Sequence, residues 1–285
     1  MKYALIEEYL GQYSIALMCR VLNVARSGFY KWKRNPVSKR AQQQESVKVA
    51  VLETYATYKA CYGAPRIAKE LKAVGIPCCL NNAAAILANN GLKARNGKAF
   101  KYSTSSEAMS NVAENILWRD FKAGEANTKW TTDITYIWVK DRWLYLATVM
   151  DLFSRKIVGW ALDTTMTEDL ITTALKMAFE LRTIKSGLII HSDRGVQYRA
   201  HKYQDLIRRH GCKVSMSRKG NCWDNAPMES FFSRFKVELI YAEQYESIEE
   251  AKSGIFEYIE IFYNRLRRHS AIGYVSPAEF ERLCA

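Results

Sequence analysis

Three runs rich in β-branched and aromatic residues, WTTDITYIWV, RWLYLATVMDL and RKIVGWALD, follow one another between residues 130 and 163. Only the turn-forming Lys140-Asp141 and the segment Asp151 to Arg155 lie between them, which is room for hairpins and nothing longer, so three antiparallel strands are expected. The pattern then changes period. Thr167 to Arg182 reads as an amphipathic helix with Leu170, Ala174, Leu175, Ala178 and Phe179 inward and Thr167 as its cap. GLIIHSD is a short apolar strand, Lys202 to His210 a helix, KVSMS a further strand, and Pro227 in the first turn after Asn225 opens a last helix.

Three strands, then helix, strand, helix, strand, helix, is the element order of the ribonuclease H fold: an α/β unit with a mixed five-stranded sheet and helices. The chain in front of it is all-helical. Residues 14 to 33 form two short helices around a tight turn at Asn23, with Leu17, Met18, Val21 and Leu22 as the inner face. The second of these helices offers Arg26, Ser27, Tyr30, Lys31 and Lys33 outward, as a DNA-reading helix-turn-helix does; a plain helical hairpin is the rival reading. Five segments result: a helix-turn-helix at 1–40, a second helix-turn-helix-like unit at 41–102, a linker at 103–124, the α/β core at 125–245 and a helical, basic tail at 246–285. In the second unit the outward helix, Asn81 to Asn90, carries no Lys or Arg, so packing suits it better than phosphate contact.

Charge points to a polyanionic partner. Lys and Arg number 42 against 29 Asp and Glu, a net of +13. Residues 1–124 hold 19 basic and 8 acidic side chains, and residues 125–285 hold 23 and 21. The excess is therefore at the front, where a phosphate backbone would release counterions on binding. Met1 to Leu10 has no apolar core and no run of about 18 apolar residues occurs, so neither export nor membrane spanning is expected, and the cytoplasm is the expected compartment. The 7 cysteines form no CxxC pair, and the nearest metal-like cluster, His210, Cys212 and Cys222, is one ligand short, so reduced thiols are expected.

Three acids stand at different junctions of the α/β region. Asp133 lies inside the first strand, sharing a face with Thr131 and Thr135; Asp193 ends the fourth strand; Glu229 opens the last helix, with Ser233 and Lys236 on the same stripe. A carboxylate in so apolar a strand is costly unless paired. Three converging carboxylates repel by roughly 4 kcal/mol per pair at about 4 Å and an effective dielectric near 20. A divalent cation removes that penalty. Hard carboxylate oxygens suit Mg²⁺, and two ions about 3.5 to 4 Å apart would serve the attacking and the leaving oxygen of a phosphodiester. Lys236, two turns after Glu229, would hold a phosphate nearby. Asp151, Asp163 and Asp224 sit at turns or a cap and read as structural. His191 would orient Asp193, touch substrate or simply pack.

The stretches WTTDITYI, DLFSRKIVGW, HSDRGVQY, SMSRKGNCWDNAPMESFFSRFKVE and YNRLRRHSAIGYVSP resemble the transposases of bacterial insertion sequences, specifically the second-reading-frame product (OrfB) of the insertion sequence three family. The likeness runs over essentially the whole chain, and 35 residues separate Asp193 from Glu229. It implies a D-D-E core of the retroviral integrase type, in which Asp133, Asp193 and Glu229 are both the catalytic and the metal-binding acids, and Mg²⁺ or Mn²⁺ as the cofactor, two ions with DNA bound. It implies nicking at an element end, then attack by the freed 3′-hydroxyl on another phosphodiester without a covalent enzyme intermediate. The implied partners are DNA (terminal inverted repeats and target), the upstream-frame product OrfA or its frameshift fusion, and further copies of the chain on DNA. Arg265, Arg267 and Arg268 in the tail, with Lys236, Arg26 and Lys31, are the candidate DNA contacts. Two other functions share these features: a DNA-binding regulator with a silent core, and a ribonuclease H-like nuclease that stops at hydrolysis.

Overall fold

The strand-forming runs become β1 (Lys129–Val139), β2 (Arg142–Asp151) and β3 (Ile157–Asp163) in a computed structural model that describes residues 2–34, 38–95 and 111–285. β1 and β2 pair antiparallel from Trp130↔Asp151 to Val139↔Arg142, around a two-residue turn in which Lys140 takes a left-handed φ of 53°. Two short strands, β4 (Ile189–Ser192) and β5 (Lys213–Met216), add in parallel to give the order β3-β2-β1-β4-β5. The mixed five-stranded sheet expected from the sequence is thus present, with β1 at its centre.

Strand alternation sends side chains to two separate cores. Trp130, Ala147, Val149 and Ile190 pack under α7 (Glu168–Leu181) and α8 (His201–Arg209). Contact with α7 is closest at Gly159 of β3, where an added Cβ would lie 2.2 Å from the Ala174 carbonyl oxygen. Ile137, Val139, Leu144 and Leu146 face the other way, against α9 (Ala226–Phe235), α10 (Ile248–Phe256) and the wide π-type turn Glu257–Leu266 that continues it. The last helix is α11 (Pro277–Cys284). Thr167 holds the N-cap position of α7 but its side chain makes no cap bond; Glu168 and Asp169 supply first-turn charge instead.

Residues 246–285, set apart by their sequence as a basic tail, complete the second core. Tyr258, Ile259 and Tyr263 are buried in it, and Asn264 clamps Ile157 by accepting from its N–H and donating to its carbonyl, both at 2.9 Å. Glu281 accepts from Arg182 at 2.7 Å and from Lys156 at 3.0 Å, and Arg182 also reaches buried Asp151. Arg267 corrects the expectation of a DNA contact. It is 2 % exposed, and its guanidinium grips Glu238 through bonds of 2.6 and 2.7 Å, so it has no face left for a phosphate. Tyr258 donates a third bond to Glu238 at 2.9 Å. Of the linker expected at 103–124, residues 103–110 lie outside the described residues, as do Lys98 and Lys101. The rest is held on the sheet: the N–H groups of Ile116 and Leu117 both donate to the Ser215 hydroxyl.

The chain divides into two compact units, Met1–Ala94 and Arg95–Ala285. The first holds α1 (Lys2–Glu8), α2 (Ile15–Val21), α3 (Arg26–Arg34), α4 (Lys39–Thr57), α5 (Ala64–Ala73) and α6 (Leu80–Asn89). Asn23 takes the left-handed turn expected between α2 and α3, with φ 51°. Met18, Cys19 and Phe29 form the inner face with Ile6, whereas Leu17 and Val21 are 39 % and 73 % exposed. The two outward residues line an apolar groove with Leu5, Tyr9 and Tyr13.

The Glu238–Arg267 pair yields a stability test. Glu238→Gln leaves a buried guanidinium without its counter-charge, and about 3 to 5 kcal/mol of unfolding free energy should be lost in urea titrations. A loss below about 1 kcal/mol would show that water reaches the pair.

Candidate active site

Parallel register brings the segments of the first two acids together. β1 and β4 pair as Lys129↔Ile189, Trp130↔Ile190 and Thr131↔His191. Asp133 follows Thr131 by two residues and Asp193 follows His191 by two, so the offset of the last pair directs the two acids toward each other, and the Asp193 charge raises the Asp133 carboxyl. β4 ends at Ser192, so beyond this point that edge of β1 has no β4 partner. Each acid is anchored through one oxygen: Asp133 Oδ1 accepts from the Ile134 N–H and Asp193 Oδ1 from the Gly195 N–H, both at 2.8 Å. Across β2, Asp133 faces Thr148, which is fully buried and whose hydroxyl has no partner among the described residues.

Glu229 arrives from α9, and two side chains aim that helix. Asn225 is at its N-cap position but does not cap it. Its amide spans to β1 instead: Oδ1 accepts from the Thr131 hydroxyl and Nδ2 donates to the Thr132 carbonyl at 3.3 Å. Asp224, fully buried, accepts from Arg218, Arg119 and Asn115 at 2.7 to 3.0 Å. Glu229 is one helical turn after Asn225 and Asp133 two strand residues after Thr131, so each is about 6 Å from a common anchor.

Electrostatics link the groups. Burial pushes the Asp133 carboxyl well above the usual carboxylate range, the Asp193 charge adds to this, Glu229 adds more, and Lys236 opposes them. Asp193 is raised by burial, against the Gly195 N–H. Burial lowers the Lys236 ammonium, with Asp133 pulling the other way. Lys236 was expected on the edge stripe of the helix with Glu229 and Ser233; it is 8 % exposed, at the start of a π-type turn over Lys236–Ile240, with its ammonium over the Tyr136 ring, 4.6 Å from the centroid.

Among the described residues no group of three His, Cys, Asp or Glu side chains stands ready to hold a metal ion. The donors nonetheless suit one: two hard carboxylates with one oxygen each not used in the described hydrogen bonds, a third acid whose charge acts on Asp133, and the buried Thr148 hydroxyl, without a partner among the described residues, across from Asp133.

The neighbours have other work. His191 is fully buried, bonds the Ser215 and Ser217 hydroxyls at 2.8 and 3.1 Å, and is drawn down to about 4 by burial, so it is neutral and ties β4 to β5. Asp151 and Asp163 serve turns, as their sequence positions suggest. Tyr198, Asn225 and Tyr136 were not legible as site residues, although all three lie inside stretches that carry the family resemblance. Tyr198 packs beside Thr132, its hydroxyl 3.3 Å from Thr132 Oγ1, and is raised by burial and then by Asp133. Arg26 and Lys31 are exposed on α3; Arg265 is exposed, and Arg268 is half-buried with a bond to the Tyr274 carbonyl at 2.9 Å.

Two models of the integrase core domain match residues 123–222 and 210–277. Transposase InsF for insertion sequence IS3A of Escherichia coli strain K12 is 44% identical over 283 residues, 99% of this chain and 98% of that protein. The chain belongs to the IS3 transposase family. An uncharacterized 31 kDa protein of insertion element IS600 from Shigella sonnei is 40% identical over 92% of this chain and 97% of its own length. Among solved structures, a simian T-cell lymphotropic virus intasome aligns with TM-score 0.47 and 13% identity, covering 81% of this chain and 74% of that one. The catalytic core domain of BIV integrase aligns with TM-score 0.42 and 20% identity over 55% and 95%. In this IS3-family chain the mixed sheet is the ribonuclease H-like integrase core; Asp133 and Asp193 fall within the first domain match and Glu229 within the second.

Asp224 gives a pH test of the α9 anchor. Hydrogen bonds from Arg218 hold its carboxyl well below the usual carboxylate range. The folded pKa is therefore below the unfolded one, and the stabilisation is complete above about pH 4 and lost as pH falls toward the folded value. The gap in urea midpoint between the parent and Asp224→Asn should be widest at pH 6 and shrink below pH 4. A gap that stays constant down to pH 3 would contradict the ionised anchor.

Proposed function

We propose that this IS3-family chain cuts a DNA strand at an insertion-sequence end and transfers the freed 3′-hydroxyl to a second phosphodiester, with Asp133, Asp193 and Glu229 as its catalytic, metal-binding acids. The observation that supports this is the charge gathered on Asp133: Asp193 directly follows the strand that pairs with β1, and its charge and that of Glu229 on α9 both raise the Asp133 carboxyl. Bound Mg²⁺ or Mn²⁺, two ions with DNA present, would supply activation of the attacking oxygen and stabilisation of the leaving one. The chain's own part is to position. The Gly195 N–H fixes Asp193, the Ile134 N–H fixes Asp133, and the Asn225 amide sets the height of Glu229. Lys236 places a cation within electrostatic reach of Asp133, where a phosphate would sit.

Direct transfer fits the surroundings better than a covalent enzyme intermediate. Tyr198, the phenol coupled to Asp133, is buried and raised well above its ordinary value, so it stays protonated and is a poor nucleophile. The DNA partners are the terminal inverted repeats and the target, with Arg26 and Lys31 on α3 and Arg265 and Arg268 near the C-terminus as backbone contacts. The upstream-frame product or its fusion, and further copies of the chain, assemble on that DNA in the bacterial cytoplasm. Among the described residues no helix is long and apolar enough to cross a membrane.

Asp193→Asn should reduce Mg²⁺-dependent joining of a terminal-repeat oligonucleotide to background while leaving its binding within about twofold. Unchanged joining by the variant would reject the assignment. Product that is nicked but never joined by the parent protein, with the upstream-frame partner supplied, would favour a hydrolytic nuclease. No cleavage at all under those conditions would favour a silent DNA-binding regulator.

A further inference from the structure

At the tip of the β1–β2 hairpin three large aromatics stand together in solvent. Tyr136, Trp138 and Trp143 are 50 %, 53 % and 43 % exposed. On the opposite face of the same strands Ile137, Val139 and Leu144 are buried to within 2 %, so the hairpin is held by its other side and the aromatics are not needed for its core. Trp138 and Trp143 are cross-strand partners whose ring centroids lie 4.8 Å apart at 70°, and Tyr136 meets Trp143 edge-on at 5.1 Å and 89°. Mutual edge-to-face packing fixes the ring orientations and leaves each ring about half exposed, with the Lys236 ammonium over that of Tyr136.

We propose that Tyr136, Trp138 and Trp143 form a stacking platform for unpaired bases of the DNA strand held at the acids. The proposal rests on the DNA reading above for its substrate class and extends it to the form of that substrate: a strand whose bases are out of the duplex near the reacting phosphate. Distance and charge support it. Tyr136 and Trp138 lie three and five residues along β1 from Asp133, or about 10 and 17 Å at ~3.3 Å per residue, on the other face of the strand, and the edge of β1 that β4 leaves unpaired beyond Thr131 lets one DNA strand pass from face to face. The span is roughly three to five nucleotides of stacked strand. The Lys236 ammonium, electrostatically coupled to Asp133, lies over the Tyr136 ring and links platform to acids.

Lys140 and Arg142 flank the tip with side chains 63% and 59% exposed. Their partners Glu246 and Asp141 are exposed too, and such surface pairs are weak enough for a phosphate to displace. Aromatic rings recognise the flat faces of bases, which a closed duplex hides, so the occupant is an unpaired strand. A protein partner is the rival occupant; the exposed Lys140 beside the patch fits a phosphate backbone better than an interface core, where Lys is depleted.

The test compares the full-length parent with Trp138→Ala/Trp143→Ala and Trp138→Phe/Trp143→Phe, using fluorescence anisotropy with a labelled single-stranded oligonucleotide and a blunt duplex of the same sequence. Divalent ions are left out, so only binding is scored, and a failure of the catalytic assignment would leave this assay unaffected. The alanine pair should bind the single strand at least about 10-fold more weakly, with duplex affinity within twofold, and the phenylalanine pair should recover most of the loss. Unchanged single-strand affinity, an equal loss on duplex, or a loss that phenylalanine does not restore would overturn the proposal. So would a shift from oligomer to monomer in sedimentation with DNA affinity unchanged, which would make the patch a protein interface.

Discussion

The attachment of α9 to β1 is the constraint on which the site depends. Helix and strand are connected through many residues of intervening chain, so nothing local sets Glu229 against Asp133. The Asn225 amide does so by bonding both Thr131 and Thr132, while Asp224, gripped by two arginines, holds the preceding loop. Far along the same helical run, Glu238 is bound to Arg267 in the second core. Buried polar groups of this kind are costly when left unpaired, so each satisfied pair selects one orientation of α9 over its alternatives. The helix is positioned by polar bonds at both ends and by Met228, Phe231 and Phe235 between them.

That rigidity makes the crowding of charge possible. A mobile chain would let three carboxylates drift apart; here the sheet register fixes two and the anchored helix delivers the third. Burial first, and then the Asp193 and Glu229 charges, push the Asp133 carboxyl above the usual carboxylate range. Lys236 offsets part of that shift while lying across Tyr136, which joins the acid site to the aromatic hairpin tip.

Local periodicity made much of this legible from sequence. The alternation in WTTDITYIWV and RWLYLATVMDL, and the change of period at Thr167, define the strands and helices of the sheet before any contact is known. The acids stood out because each breaks an apolar pattern or ends one. What could not be read was pairing at long range. Arg267 looked like surface charge beside Arg265 and Arg268 because its partner Glu238 is 29 residues away. Asn225 and Thr167 both occupy cap positions, yet neither side chain caps its helix; tertiary bonding claimed Asn225 for β1. The π-type turn at Lys236 leaves no mark in a 3.6-residue pattern, and it is what turned an expected edge residue inward.

Manganese located by anomalous scattering in crystals of the protein, alone and with an element-end oligonucleotide, tests the central claim most directly. The account predicts a peak bound by oxygens of Asp133 and Asp193, with Glu229 joining the coordination when DNA is present. Manganese bound elsewhere, with either aspartate or Glu229 still beyond coordination reach in the DNA complex, would contradict it.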